Sequence, residues 1–127
     1  MEALSAAALA PPSGHMFTLP YPPSINHYWR RVGSRTLVSR EGRRYRSRVC
    51  ALLAAAGARP LEGRLCVEVT VCVPDRRRRD LDNVGKALLD ALAHGGAYRD
   101  DSQIDRLVFE RGPLTEGGRV LVQITEM

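Results

Sequence analysis

The sequence contains almost no lysine: of its 19 basic residues, 18 are arginine and one is Lys86. Aromatic residues are also few, at 6%. No apolar run approaches the roughly 18 to 20 residues that cross a bilayer, so no membrane-spanning segment is expected. The start of the chain lacks a basic segment before its Ala-rich run, so no export signal is expected there. We therefore predict a cytoplasmic protein.

Cysteine is scarce as well. Cys50, Cys66 and Cys72 form an odd number and lack the spacing of zinc or redox motifs, which excludes a disulfide framework and a structural zinc site. Reduced thiols in the core are expected instead. A chain of 127 residues with 44% hydrophobic and 26% charged residues is typical of one globular domain.

Positive charge is what the sequence has in excess, with a net charge of +5 and a pI near 9.6. Residues 1–79 carry 14 arginines and five acidic residues, or +9, whereas residues 80–127 carry five basic and nine acidic residues, or −4. Such an excess indicates a polyanionic partner such as a nucleic acid.

The hydrophobic pattern predicts the element order β-α-β-α-β-β. Residues 1–15, rich in Ala, Ser and Pro, are predicted to form a flexible leader, and a single domain is predicted over residues 16–127. No clear periodicity is present in residues 24–38, which are predicted to form an irregular loop. The predicted strands cover residues 16–21, 64–73, 104–111 and 119–126, and the predicted helices cover residues 39–56 and 80–94.

Acidic residues are concentrated around the second predicted helix. Asp80 and Asp82 stand two residues apart at its start, so their carboxylates point to the same side of a turning backbone. Hard oxygen ligands of this kind favour Mg²⁺ or, as an alternative, Mn²⁺. The helix is about 18 Å long and the residues after it can span about 20 Å, so Asp100 or Asp101 can return to complete the site. Taken alone, Asp80 and Asp82 are equally typical of helix caps.

Two basic features lie beside these carboxylates. Four arginines, Arg76, Arg77, Arg78 and Arg79, come directly before Asp80 and are candidate phosphate contacts, although a solvated turn would look the same. Lys86 follows Asp82 by four residues, which suits a simple surface ion pair. An ammonium kept in a chain that otherwise uses arginine instead indicates a proton donor or a compact cation at a phosphate. Together with the carboxylates, these groups are what metal-assisted phosphodiester cleavage requires.

Two further stretches are candidate DNA contacts. Residues 24–38 combine aromatic and basic side chains, with Asn26, Trp29 and Arg30 as the candidates. The first predicted helix carries Arg40, Arg44 and Arg48 at intervals of four, a stripe that suits either a phosphate backbone or a solvated face.

The motifs of the chain resemble those of the RusA family of Holliday-junction resolvases. The resemblance covers roughly residues 17–127 and omits only the leader. It is carried by LPYPPSINHYWR near the start, VSREGRRYR in the first predicted helix, DRRRRDLDN with Lys86, LLDAL, DDSQ, and GGR with the closing ITEM.

This resemblance implies a two-layer α/β fold in which two helices pack on a small mixed sheet. It implies a homodimeric, Mg²⁺-dependent endonuclease that cuts two opposed strands of a four-way DNA junction, in that family near CC dinucleotides. By position, the catalytic residues would be Asp80, Asp82, Asp101 and Lys86, with the three aspartates as metal ligands. The role of Asp100 stays open.

Two other functional classes share some of these sequence features. A non-catalytic basic DNA-binding protein would use the arginines but would gain nothing from clustered carboxylates, which repel phosphate. A phosphatase of the haloacid dehalogenase type also places a D-x-D motif after a strand, but it needs a larger α/β sheet than 127 residues readily supply.

Overall fold

The computed structural model describes residues 14–127. Its strands are β1 (Gly14–Pro20), β2 (Trp29–Val32), β3 (Arg35–Val38), β4 (Leu65–Cys72), β5 (Ile104–Arg111) and β6 (Arg119–Glu126). Its helices are α1 (Ile25–Tyr28), α2 (Arg40–Ala55) and α3 (Gly85–His94), with 3₁₀ turns at Leu81–Val84 and Asp101–Gln103. Among these residues, no helix is both long and apolar enough to cross a membrane.

Four strands form a mixed sheet in the spatial order β1-β6-β4-β5. β6 runs antiparallel to both β1 and β4, whereas β4 and β5 are parallel. Alternation along β4 buries Leu65, Val67, Val69 and Val71 on one face, as expected for a strand covered on one side. The predicted α/β fold with a small mixed sheet and two packed helices is confirmed.

Helix α2 begins and ends close to where its sequence predicts. The Ser39 hydroxyl accepts a hydrogen bond from the Gly42 amide at 3.0 Å and so caps the first turn. Gly57 follows the helix with a φ of 71°, a backbone conformation that favours glycine. The apolar stripe of the helix packs into the core through Tyr45, Val49 and Leu53.

Helix α3 is shorter than the predicted helix over residues 80–94. Residues 81–84 form a turn of 3₁₀ helix, and the α-helix starts at Gly85. A Cβ atom at residue 85 would stand 3.2 Å from Cζ of Phe109, so glycine lets the helix start close against β5. Since β4 and β5 are parallel, α3 is the crossover that joins them.

The prediction of an irregular loop over residues 24–38 is wrong. One helical turn, α1, leads into a two-stranded hairpin in which Trp29 pairs with Val38 and Val32 pairs with Arg35. Gly33 has a φ of 64° and makes the tight turn. Both faces of the hairpin are largely exposed, so its strands lack the alternation that marks a half-buried strand.

The first strand begins at Gly14, two residues before the predicted start of the domain at Met16. Its Phe17 and Leu19 side chains are buried against the helices, whereas Met16 on the opposite face is 76% exposed. Residues 1–13 lie outside the described residues, so a flexible leader stays a prediction for them.

Candidate active site

Asp80 and Asp82 lie on the segment that leads from the carboxyl end of β4 into α3. Both are exposed. Asp80 occupies the position before the 3₁₀ turn, but its side chain makes no capping hydrogen bond. Within residues 14–127 neither carboxylate forms an ion pair. Helix capping through the Asp80 side chain therefore does not explain the pair, and both groups are open to a ligand.

Asp100 and Asp101 have different surroundings on the turn before β5. The Asp100 carboxylate accepts a hydrogen bond from the Ser102 amide at 2.9 Å, and Gln103 completes a reciprocal capping box. Hydrogen bonds from the Ser102 side chain and amide lower the pKa of Asp100. The capping geometry makes Asp100 a structural cap of this turn. Asp101 is exposed and lies beside Tyr98, whose pKa is raised by burial and next by the charge of Asp101. The D-x-x-Q spacing in DDSQ is the sequence signal that could have separated the two aspartates.

The three predicted metal ligands are not gathered into one preformed site. No group of three or more His, Cys, Asp or Glu side chains in residues 14–127 is placed to hold a metal ion. The Asp80 and Asp82 pair alone still has suitable chemistry, because Mg²⁺ is usually held by one or two carboxylates together with substrate phosphates. The described residues therefore fit a metal shared with DNA and do not fit a cage built by the protein alone.

Lys86 lies in the first turn of α3 and is exposed. Its Nζ atom is 5.8 Å from the centroid of the Trp29 ring, within the range of a cation–π contact. Among residues 14–127 no ion pair joins Lys86 to Asp82. The surface ion pair that the spacing allows is therefore absent, and Lys86 meets an aromatic ring instead.

The candidate DNA contacts of residues 24–38 lie on α1 and β2. Asn26 and Arg30 are exposed, and Trp29, at the start of β2, is half-buried with the Lys86 Nζ atom over its ring. The structure thus places the Trp29 ring in contact with Lys86, the predicted catalytic lysine. DNA contact by Asn26, Trp29 and Arg30 stays a prediction.

The four arginines before Asp80 divide into two pairs. Arg79 and Arg77 bind the Asp75 carboxylate at 2.6 Å and 3.3 Å, and they hold its pKa well below the usual range, with Arg79 as the main cause. The Arg79 side chain is only 18% exposed. Arg76 and Arg78 are exposed and have no ion pair in the described part of the chain. These two side chains are the better candidates of the run for phosphate contact, which stays a prediction.

A second basic surface lies on α2. Its arginines line a shallow groove of about 470 Å³, formed by Arg40, Arg43, Arg44, Ser47 and Arg48. All five side chains are exposed. The stripe predicted at intervals of four is thus present as a solvent-facing surface, and DNA contact by it stays a prediction.

The structure contains a polar cluster centred on Asp90 that was not predicted from the sequence. The Asp90 carboxylate accepts hydrogen bonds from the hydroxyl of Tyr28 and from Nε of Arg46, the latter at 2.8 Å. Burial alone would raise the pKa of Asp90, but the bonds from Tyr28 and Arg46 outweigh it and lower the pKa. Burial and the bond to Asp90 raise the pKa of Tyr28 to about 12. The sequence signal for this cluster was Asp90 itself, an acidic residue one turn after Lys86 in a helix of mainly apolar residues.

A family model for endodeoxyribonuclease RusA matches residues 20–125. The chain belongs to the RusA family. A RusA relative from Enterobacteria phage HK97, named crossover junction endodeoxyribonuclease rusA, is 45% identical over 114 residues, which cover 89% of this chain and 95% of the relative. The RusA protein of Escherichia coli strain K12, with the corresponding name, is 42% identical over 118 residues, again covering 89% of this chain and 95% of the relative.

We predict that acidification destabilises the fold through Asp90. Its pKa is lower in the folded chain than the ordinary value of about 4, so the ionised carboxylate stabilises the fold above that value. This contribution is lost as the pH falls through the folded pKa. Urea denaturation from about pH 7 to about pH 3 should therefore show a smaller loss of unfolding free energy for Asp90→Asn than for the wild type.

Asp105→Asn is the matched control, because Asp105 pairs with Arg64 at 2.6 Å while both side chains are largely in water. Exposed pairs contribute little, so its pH dependence should stay near that of the wild type. Identical curves for Asp90→Asn and the wild type would contradict the prediction.

Proposed function

We propose that this protein is a metal-dependent endonuclease that resolves four-way DNA junctions by hydrolysing phosphodiester bonds in two opposed strands. The observation that carries the proposal is the exposed pair Asp80 and Asp82, without protein partners among the described residues, directly after an arginine run in a RusA-family chain. Its relatives are named crossover junction endodeoxyribonucleases. Since the substrate is DNA, we place the protein in the cytoplasm.

In this proposal Asp80 and Asp82 hold Mg²⁺, or Mn²⁺ as an alternative, and Asp101 is the third carboxylate. The metal ion, when bound, lowers the pKa of a water molecule and stabilises charge on phosphate oxygens. The protein's part is to present carboxylate oxygens on a segment where no cation of the described chain competes for them. Phosphate oxygens from DNA would complete the ligand set, which agrees with the absence of a preformed cage in residues 14–127.

Lys86 is the proposed partner of the leaving group. Hydrolysis forms a bond between phosphorus and the attacking water oxygen and breaks the bond to the departing strand oxygen. That oxygen leaves with negative charge, which an ammonium stabilises or neutralises by giving up a proton. Lys86 is exposed at the start of α3, four residues after Asp82, so it lies on the same segment as the carboxylate pair.

The alternative function is a non-catalytic basic DNA-binding protein. Exposed carboxylates beside a DNA surface repel phosphate, so Asp80 and Asp82 would weaken such a protein without compensation. The phosphatase alternative is disfavoured by the sheet, in which only β4 and β5 are parallel among the four described strands.

We predict that Asp80→Asn, Asp82→Asn and Asp101→Asn each abolish cleavage, while junction binding survives or strengthens because negative charge near phosphate is removed. Cleavage of a labelled four-way junction with Mg²⁺, and its loss with EDTA, measures the effect. Asp100→Asn is the matched control, because asparagine caps helical turns as well as aspartate does and should preserve activity. A variant that cuts at the wild-type rate would remove its residue from the catalytic set.

We also predict that Arg76 and Arg78 carry the salt dependence of the arginine run. Replacing both with alanine should reduce the slope of log affinity against log salt by about 0.9 for each phosphate that the protein no longer neutralises. Arg64→Ala with Arg99→Ala is the charge-matched control, because these arginines are engaged by Asp105 and Glu62. Equal slopes for the two double variants would show that only net charge matters. An unchanged slope for the Arg76 and Arg78 double variant would shift the phosphate-binding role to Arg40, Arg44 and Arg48.

We further propose that the protein acts as a homodimer. A four-way junction has approximate two-fold symmetry and is cut at two matching points, and a two-fold dimer supplies two matching active sites. The outer edge of β5 supports this, because β5 pairs on one side only in the described sheet. Its sequence IDRLVFER lacks proline, its charged side chains are of both signs and can pair with those of a second copy, and Leu107 is 42% exposed.

Charge complementarity points to one register for this edge. If two β5 strands pair antiparallel about Val108, Arg106 faces the partner's Glu110 and Asp105 faces the partner's Arg111. Each opposite-charge pair then occurs twice. The two-fold axis is perpendicular to the sheet, so both α3 helices and both Asp80–Asp82 segments lie on the same side, as cutting one junction at two points requires.

Charge reversal tests this interface. Arg106→Glu and Glu110→Arg should each weaken the dimer by about tenfold or more, since each places two like-charged pairs across the interface. The double variant restores opposite charges and should restore the dimer. Sedimentation velocity at micromolar concentration distinguishes the 14.0 kDa protomer from a species of twice that mass. A double variant that stays as weak as the single ones, or single variants that dimerise normally, would exclude this interface.

A further inference from the structure

Trp29 and Lys86 come from distant parts of the chain and meet at the start of α3. Lys86 has its Nζ atom 5.8 Å from the Trp29 ring centroid, and Trp29 is half-buried. A flexible lysine side chain samples many rotamers in water, and a ring face that attracts its cation reduces that freedom. The contact is therefore suited to hold the ammonium in one place.

The Trp29 ring packs against Tyr28, which forms a hydrogen-bonded cluster with Asp90 and Arg46. The Tyr28 side chain is completely buried, and its ring meets the Trp29 ring edge to face, at 5.0 Å between centroids and 81° between planes. Its hydroxyl donates to Asp90, which also accepts from Nε of Arg46 at 2.8 Å. Asp90 lies one turn after Lys86 on α3. The same helix therefore carries Lys86 and also Asp90, which binds the neighbour of Trp29.

The base of the hairpin is fixed to α2 as well. The Ser39 amide donates to the Tyr28 carbonyl at 2.8 Å, and the Ser39 hydroxyl donates to the His27 carbonyl at 2.6 Å. A Cβ atom at Gly42 would come within 2.9 Å of the Tyr28 carbonyl oxygen, so only glycine allows this approach of helix and hairpin. Tyr28 is thus bound at the start of α2 through its carbonyl and to α3 through its hydroxyl, and Trp29 is the next residue in the chain.

We propose that Trp29 is a positioning residue that sets the location of the Lys86 ammonium for strand cleavage, and that the cluster of Tyr28, Asp90 and Arg46 holds Trp29 in place. This inference rests on the proposed role of Lys86 in cleavage. It assigns an indirect catalytic function to an aromatic residue that would otherwise be taken as a base-stacking contact.

The test is a double-mutant cycle on the full chain. Trp29→Leu removes the ring face and should slow single-turnover cleavage of a four-way junction by about tenfold to a hundredfold, while the dissociation constant changes by no more than about twofold. Trp29→Phe keeps a ring and should retain most of the rate. In the Lys86→Ala background Trp29→Leu should cost nothing further, because the residue it positions is gone.

A further variant, Tyr28→Phe, tests the cluster. Tyr28→Phe removes the hydroxyl that donates a hydrogen bond to Asp90 and keeps the buried ring. It should slow single-turnover cleavage, but by less than Trp29→Leu does. Thermal unfolding of every variant identifies a loss caused by misfolding, and Trp29→Phe serves as the folded reference. A wild-type cleavage rate for Tyr28→Phe would exclude the cluster from positioning.

Other outcomes separate this inference from the proposed function. If Lys86→Ala cleaves as fast as the wild type, the proposed role of Lys86 is wrong. If Lys86→Ala is slow but Trp29→Leu is normal, the positioning role alone is wrong. A Trp29→Leu variant with weaker junction binding and an unchanged single-turnover rate, in both backgrounds, would make Trp29 a direct DNA contact.

Discussion

The parallel pairing of β4 with β5 is the constraint on which the candidate site depends. Two parallel neighbours cannot be joined by a hairpin, so the chain must return along the sheet before β5 begins. Helix α3 makes that return and buries Leu88, Ala91 and Leu92 against the strands. As a result, the segments that carry Asp80 and Asp82 on one side and Asp101 on the other precede and follow the same helix. Because β4 and β5 run in the same direction, this crossover places the Asp80–Asp82 segment and the Asp101 turn at opposite ends of α3, which agrees with the lack of a preformed metal-binding group among residues 14–127.

Predictability from the sequence follows burial closely. Strands β4 and β6 alternate because one face of each is buried, and their bounds were predicted to within one residue. The hairpin of β2 and β3 was not predicted, because neither of its faces is buried. Without a buried face, apolar and polar residues need not alternate along the strands, so the sequence shows no strand periodicity. Local propensity could not predict the conformation of residues 24–38, because that conformation depends on the contacts of Tyr28 with Ser39 before α2 and with Asp90 on α3.

The candidate site could be proposed from the sequence only where its residues are close in the chain. The carboxylate pair, the arginine run and Lys86 are neighbours in the sequence, and their roles stay predictions. The cluster around Asp90 joins residues 44 and 62 positions apart. The sequence around Asp90 shows an acidic residue on a largely apolar helix, but it does not show which side chains bind it. The number of basic residues is a further case. Several arginines bind acidic side chains within the chain, so the count of 19 basic residues overstates the cations left for a phosphate backbone, the engaged ones being Arg46, Arg64, Arg77, Arg79, Arg99 and Arg106.

The contact between Lys86 and Trp29 has a spectroscopic consequence. The sequence contains one tryptophan and one lysine, and the fold brings the two within 5.8 Å of each other. All indole fluorescence of the protein therefore originates beside the candidate active site. The molecule carries its own optical reporter there, and changes in indole emission upon addition of a junction or a metal ion can be assigned to a single residue without any label.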